Sequence, residues 1–309
     1  MACTTARRGG GTAQTDGGGG DAGARVGPVQ AGSGRAESCE PADCGGPAPG
    51  ETLRLELCPV PDPIRRARGR LRRGMGRRAG GSWWFRRPAG AFCECQPLGV
   101  AGIIGAGNYP ILRTLGPAID AIAAGNRVML KLSEATPHTG ALLKRLLEQA
   151  FPSDLVAVVL GEVEVGQAFA RLPFDHLLFT GATSVGRQVM QAAAHNLTPL
   201  TLELGGKSPV IVAADMPLAT AAERIAFGKT LNAGQTCVAP DYVLVPRQHL
   251  DGLVEALRQT LQGFYPEPTR NRDCTHIIND RQHRRLQQYV DDATGKGAKV
   301  LLGGKRHAL

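Results

Sequence analysis

The stretch LGVAGII, residues 98 to 104, is a continuous apolar run with the length of one β-strand. A strand that is apolar on both faces is typical of a parallel sheet covered by helices on both sides. Similar runs recur further along the chain, and helical segments lie between them. The stretch therefore predicts an α/β protein whose regular structure begins near residue 96.

Strand and helix alternate in this part of the chain, with short connections. Runs of strand length are found at 127–132, 155–161, 176–181, 209–213, 242–246 and 299–304. Helical segments are expected at 137–150, 218–226, 247–263 and 279–294. The alternation predicts a doubly wound parallel sheet, a fold that binds ligands at the carboxyl ends of its strands.

Residues 1–95 differ from the rest in composition. They hold 15 arginines, no lysine and 20 of the 41 glycines, and neither helix nor strand periodicity is sustained. This composition indicates a disordered tail or the out-of-frame translation of a GC-rich coding sequence. The alternative is a nucleic-acid-binding arm, because the stretch at 65–87 combines arginines with aromatic residues. We expect the first interpretation and no nucleic-acid partner.

Membrane and metal sites are not expected. The sequence contains no apolar run that reaches the length of a membrane span, and the start MACTTARRGG lacks the hydrophobic part of a signal peptide. We therefore expect a cytoplasmic protein. Cys93 and Cys95 are too close in sequence for an ordinary metal knuckle and have no histidine nearby, so no metal site is predicted.

Two stretches at strand ends have the residues of a nucleotide site. FTGATSVGR, residues 179 to 187, is a glycine turn between a strand and a helix, so backbone amides can face a phosphate. Lys131 and Glu134 follow another strand and can bond ribose hydroxyls. Each stretch also has a simpler interpretation, a tight turn in one case and a charge pair at a strand end in the other.

A cysteine and a glutamate are candidates for covalent chemistry. A thiolate nucleophile needs backbone donors and access, and the glycine turn NAGQTCVAP around Cys237 leaves room for both. The alternative is a small buried hydrophobe. Glu203 lies at a strand end between Leu202 and Leu204, where burial would suit a carboxyl that takes up a proton from water.

Asn108, in the stretch GAGNYP, has a side-chain amide near a strand end. Such an amide can hold a developing oxyanion. The alternative is a turn residue before Tyr109 and Pro110.

Five motifs in one order resemble the aldehyde dehydrogenase superfamily: GNYP, KLSE, FTGATSVG, LELGGKSP and GQTCVAPD. The last of them, extended to GQTCVAPDYVLVP, is most similar to the coniferyl-aldehyde or fatty-aldehyde branch. The resemblance runs from about Gln96 to the end. It implies a Rossmann-like cofactor-binding domain, here partial, over 96–205 and the start of a second α/β catalytic domain over 206–309.

The resemblance implies a chemical role for three residues. Cys237 would attack an aromatic or long-chain aldehyde to give a thiohemiacetal, whose oxyanion the Asn108 side chain and the Cys237 amide would hold. Hydride transfer would give a thioester. Glu203 would activate the water that releases the acid.

The cofactor implied is NAD, with NADP as the alternative. Lys131 and Glu134 would hold the adenosine ribose, and the glutamate favours NAD because it would repel a 2′-phosphate. Gly181 and Gly186 would let the following helix approach the pyrophosphate. Full-length members of the family are homo-oligomers.

We expect low or no activity from this chain, because family members continue well past the cysteine. They include a Glu-x-Phe-Gly-Pro stretch that this sequence lacks. An acylating, CoA-using reductase is disfavoured because Glu203 is present. A non-catalytic nucleotide-binding or interaction protein remains as the alternative from another class.

Overall fold

The computed structural model describes residues 2–7, 49–80, 91–267, 271 and 274–303. Its first elements precede the predicted sheet. They are strand β1 (Ala2–Arg7), helix α1 (Pro49–Glu51) with a π-helix (Thr52–Leu57) directly after it, helix α2 (Pro61–Met75) and strands β2 (Arg78–Gly80) and β3 (Ala91–Gln96). Both β1 and β2 pair antiparallel with β3.

These elements differ from the structureless tail predicted over 1–95. Helix α2 packs against a helix of the later sheet domain, and Glu56 is only 1% exposed. The carboxylates of Glu51 and Glu56 bond to backbone that follows residue 108. Such tertiary bonds leave no apolar periodicity in the sequence, which explains the difference. Residues 8–48 and 81–90 of the predicted tail lie outside the described residues.

The sheet domain alternates strands and helices as predicted. Its elements are β4 (Val100–Ile104), α3 (Leu112–Ala123), β5 (Arg127–Lys131), α4 (Pro137–Ala150), β6 (Val156–Val159), α5 (Val163–Ala170), β7 (His176–Gly181), α6 (Thr183–Ala194) and β8 (Leu200–Leu204). The five strands are parallel and lie in the order β6-β5-β4-β7-β8. The predicted doubly wound parallel sheet is confirmed.

The strand order fixes where a ligand crevice opens. The chain runs outward from β4 through β5 to β6, then returns to β7 on the other side of β4. Helices that follow the two central strands therefore lie on opposite faces, and a crevice forms at the carboxyl ends of β4 and β7. The Asn108 turn follows β4, and the FTGATSVG turn follows β7.

Each face of the sheet has its own apolar core. On one face, Val128 and Leu130 of β5 pack with Ala118 of α3 and Leu143 of α4. On the other face, α5 and α6 pack on side chains that include Phe179, and Met129 of β5 lies against this second core. The alternation along β5 is that of a strand buried on both sides.

A smaller unit follows the sheet. It contains β9 (Ser208–Ile211), α7 (Leu218–Thr230), β10 (Pro240–Leu244), α8 (Leu250–Phe264) and α9 (Asp280–Gly295). Strands β9 and β10 are parallel, and they share a core with α7 and α8. The run at 299–304 was predicted as a strand, but residues 299–303 form none. Val300 and Leu301 there are half-exposed, so the run lacks the neighbour that a strand needs.

Candidate active site

Cys237 lies in a loop between α7 and β10 whose backbone is held in an uncommon conformation. The φ angles of Asn232, Ala233 and Gly234 are 51°, 52° and 73°. Non-glycine residues rarely adopt positive φ, which costs them about 1 kcal/mol or more. The loop therefore depends on contacts from outside it.

The Asn108 turn supplies the first of those contacts. The side-chain Nδ2 of Asn108 donates to the Gln235 carbonyl over 2.7 Å. In return, Nδ2 of the buried Asn232 donates to the Asn108 carbonyl over 3.0 Å. Tyr109 adds a 2.7 Å hydrogen bond to the Thr236 hydroxyl. The structure thus brings the Asn108 turn and the cysteine loop together, as their predicted shared role requires.

Glu51 supplies a second contact from the N-terminal helices. Its carboxylate accepts hydrogen bonds from the Asn232 backbone nitrogen, at 3.2 and 3.1 Å, and from the Thr275 hydroxyl. Glu51 therefore bonds directly to the first residue of the strained run. Sequence reasoning missed it because the residue falls in the stretch assigned to the tail.

Glu56 supports the other side of the site. Its Oε2 accepts hydrogen bonds from the backbone nitrogens of Ile111 (2.7 Å) and Leu112 (3.0 Å) at the start of α3. Burial raises the pKa of Glu56 to about 7, although the two backbone hydrogen bonds act in the opposite direction. Both bonds end on one oxygen, so the other oxygen is free of them and can carry the proton.

Burial also shifts the pKa of a second group in this region. Desolvation raises the pKa of Tyr109, against the hydrogen bond with Thr236 that lowers it. The phenol therefore stays neutral at physiological pH and acts as a hydrogen-bonding group. It fixes the Asn108 turn to the residue that precedes Cys237.

Arg113 reaches the sulfur of Cys237. It lies in the first turn of α3, is half-buried, and its Nη2 donates to Cys237 Sγ over 3.6 Å. Sequence reasoning did not single out Arg113. The signal available was an arginine within the otherwise apolar segment that follows the GNYP motif.

Glu203 is exposed, so the predicted burial between Leu202 and Leu204 is wrong. The two leucines pack on the second core, and alternation along β8 then places Glu203 on the opposite face. The glycines after it approach the cysteine loop: a Cβ at Gly206 would lie 3.6 Å from the Cys237 carbonyl oxygen. The two motifs are therefore neighbours, and Glu203 is three residues before the glycine that makes this contact.

Lys131 and Glu134 form a charge pair at the end of a strand. The sequence allowed this pair or a ribose-binding site. The Lys131 side chain is 2% exposed, and its Nζ donates to Glu134 Oε2 over 3.1 Å and to the Leu132 carbonyl over 2.8 Å. The pair lies at the carboxyl end of β5, next to the crevice at β4. The Glu134 side chain is 37% exposed there, so it remains accessible to a ligand.

The glycine turn after β7 has a packing role. A Cβ at Gly186 would lie 2.8 Å from a Leu204 methyl carbon, and one at Gly181 would lie 2.6 Å from the Phe179 ring. The glycines therefore let α6 sit close to β7 and β8. No side chain caps the first turn of α6, and this helix starts directly after the carboxyl end of β7. This close, uncapped helix start fits a pyrophosphate group.

Two features of the part of the chain that the structure describes bear on metal binding and on membrane insertion. There, the His, Cys, Asp and Glu side chains form no group of three or more suited to a metal ion. Among the same residues, the helices are too short or too polar to cross a membrane.

Comparison with known proteins identifies the family. The model of the aldehyde dehydrogenase family matches residues 48–309, so the match includes the N-terminal helices as well as the motifs after Gln96. A probable coniferyl aldehyde dehydrogenase of Pseudomonas aeruginosa is 58% identical over 253 residues, which are 81% of this chain and 53% of that protein. A coniferyl aldehyde dehydrogenase of another Pseudomonas is 50% identical over 69% of this chain and 44% of its own length.

Solved structures agree with the sequence matches. The substrate-bound AldH of Staphylococcus aureus superposes with a TM-score of 0.76 at 38% identity, over 81% of this chain and 55% of that one. An aldehyde dehydrogenase of Mycobacterium tuberculosis in complex with NAD+ gives 0.74 at 30% identity, over 86% and 55%. The chain spans about half the length of these relatives. The family match, the sheet order and the joined motifs show that the chain belongs to the aldehyde dehydrogenase family.

Proposed function

We propose that the site oxidises an aromatic aldehyde of the coniferyl type to the carboxylic acid, with NAD(P)+ as the oxidant. The observation that supports this most is the pair of hydrogen bonds between the Asn108 turn and the Cys237 loop. These bonds join the turn that carries the Asn108 amide, which follows β4, to the loop that carries the Cys237 thiol. Similarity to coniferyl aldehyde dehydrogenases supports the substrate class.

Cys237 is the nucleophile in this mechanism. The thiol gives up its proton to solvent, and the thiolate sulfur forms a bond to the aldehyde carbon while the carbonyl π electrons move onto the oxygen. Asn108 uses one N–H at the Gln235 carbonyl and keeps a second N–H for this oxygen. The Cys237 backbone amide is the second donor.

The cofactor, when bound, supplies the acceptor for the hydride that leaves the thiohemiacetal carbon. Lys131, Glu134, Gly181 and the first turn of α6, which contains Gly186, would hold it. Glu134 favours NAD over NADP, because a carboxylate repels a 2′-phosphate. Glu203 then takes a proton from the water that cleaves the thioester, and its exposure on β8 gives it access to that water.

The proposal is tested by NADH formation with coniferyl aldehyde. Wild type should produce NADH in proportion to acid, and Cys237→Ser should abolish both. Cys58→Ser is the matched control, since Cys58 is an exposed free thiol, and it should behave as wild type. Equal NADH formation in Cys237→Ser would overturn the proposal. NAD binding without turnover would favour the non-catalytic alternative, and thioester release by CoA would favour the reductase.

The domain division at residues 95 and 205, the cytoplasmic location and the absence of a nucleic-acid partner stay predictions. Assembly into a homo-oligomer, as in full-length members of the family, is likewise a proposal for this chain.

A further inference from the structure

Arg113 contacts the proposed nucleophile, and the mechanism above gives it no role. Its Nη2 donates to Cys237 Sγ over 3.6 Å. The Arg113 backbone nitrogen donates to the Tyr109 carbonyl over 3.0 Å. The turn that carries Asn108 thus also fixes the base of the Arg113 side chain.

The guanidinium of Arg113 contacts the sulfur as a cation outside the carboxylate pairs of the described residues. Arg113 is half-buried, and none of the ion pairs between described residues includes it. A partly desolvated cation favours negative charge beside it. The sulfur of Cys237 carries such charge as a thiolate, and the aldehyde oxygen carries it after attack.

We propose that Arg113 is a further catalytic residue, which stabilises negative charge first on Cys237 Sγ and then on the aldehyde oxygen. As the S–C bond forms, the carbonyl π electrons move onto an oxygen that is two bonds from the sulfur. The same guanidinium can therefore reach both atoms. The proposal rests on the proposed role of Cys237 as nucleophile.

Other titratable groups act on the same region. Glu51 bonds to the cysteine loop, Glu56 bonds to the start of α3, and both carboxyl groups act electrostatically on Tyr109. All three remain in variants of Arg113. Comparing those variants with wild type at equal pH therefore isolates the guanidinium.

The test is the rate at which iodoacetamide alkylates Cys237 in the full chain, measured by mass spectrometry of the Cys237 peptide. Arg113→Met should lower this rate about tenfold at pH 7, because the thiolate is the reactive form and loses its cation. Arg113→Lys keeps the positive charge and should recover part of the rate.

Arg145→Met is the matched control, because Arg145 is an exposed arginine on α4; it should alkylate as wild type does. If Arg113→Met loses the helical circular dichroism signal, Arg113→Gln replaces it as the neutral variant. A folded neutral variant that alkylates at the wild-type rate at pH 7 would overturn the proposal. Because alkylation needs neither cofactor nor aldehyde, its result is independent of whether the chain oxidises aldehydes.

Discussion

The carboxylate of Glu51 accepts a hydrogen bond from the backbone nitrogen of Asn232, which lies 181 residues later in the chain. Asn232 is 1% exposed and starts the run of three residues with positive φ that leads to Cys237. A residue of the N-terminal helices therefore holds the cysteine loop in shape.

Replacement of Glu51 by Ala should lower the free energy of unfolding by about 1–3 kcal/mol, because the buried Asn232 N–H loses its acceptor. Chemical denaturation measures this. Glu51→Gln keeps an acceptor oxygen and should lose less. Glu148→Ala removes an exposed i,i+4 ion pair with Lys144 and serves as the control, with an expected change below about 0.5 kcal/mol. Equal losses in Glu51→Ala and Glu148→Ala would contradict the role assigned to Glu51.

Glu56 should make stability depend on pH. In the unfolded chain the carboxyl ionises near its usual pKa of 4.5, whereas in the folded chain its pKa is about 7. The folded state therefore binds more protons between these values. The contribution of Glu56 to stability is fully present below pH 4.5 and is lost as the pH rises through 7, by on the order of 3 kcal/mol.

Unfolding of wild type and Glu56→Gln at pH 5 and pH 8 tests this. The amide keeps an oxygen for the Ile111 and Leu112 nitrogens and does not ionise, so the variant should gain stability relative to wild type at pH 8. The difference between the two proteins should be smaller at pH 5. A constant difference at both pH values would show that Glu56 does not titrate in this range.

The strained run gives a matched pair of substitutions. Ala233→Gly should raise the free energy of unfolding by roughly 1 kcal/mol, because glycine adopts a φ of 52° without a steric cost. Gly234→Ala should lower it by a similar or larger amount, since its φ is 73° and the new Cβ would lie 3.1 Å from the Lys229 carbonyl oxygen. Thermal denaturation of both variants measures these changes in stability. Destabilisation by Ala233→Gly would show that the loop is not strained at that residue.

An exposed apolar pair should cause the chain to self-associate. Ile211 and Leu244 are paired residues of β9 and β10 and are 77% and 54% exposed. Neighbouring exposed apolar groups favour association, so we expect concentration-dependent self-association and low turnover. Ile211→Lys should reduce the association in sedimentation velocity experiments without lowering the melting temperature by more than a few degrees. Unchanged association in this variant would place the contact elsewhere.

The strand run at 98–104 and its successors predicted the sheet because burial on both faces leaves a direct apolar signal in the sequence. The pairing of Asn108 with the Cys237 loop was accessible only through the order of motifs. Glu51, Glu56 and Arg113 could not be found in this way, because a carboxylate or guanidinium that bonds to distant backbone or sulfur has no periodic pattern. Glu203 was misjudged because its leucine neighbours alternate to the other face of β8.

The role of Cys237 as nucleophile is tested by mass spectrometry of Glu203→Gln after mixing with coniferyl aldehyde and NAD+ and quenching in acid. We expect an acyl group on the peptide that contains Cys237, because hydride leaves but water is no longer activated. This acyl group is two hydrogens lighter than the aldehyde adduct. The acyl group stays on the protein, so a single turnover is enough to detect it. An adduct on another residue, or an acyl group that persists in Cys237→Ser, would contradict the assignment of Cys237 as the nucleophile.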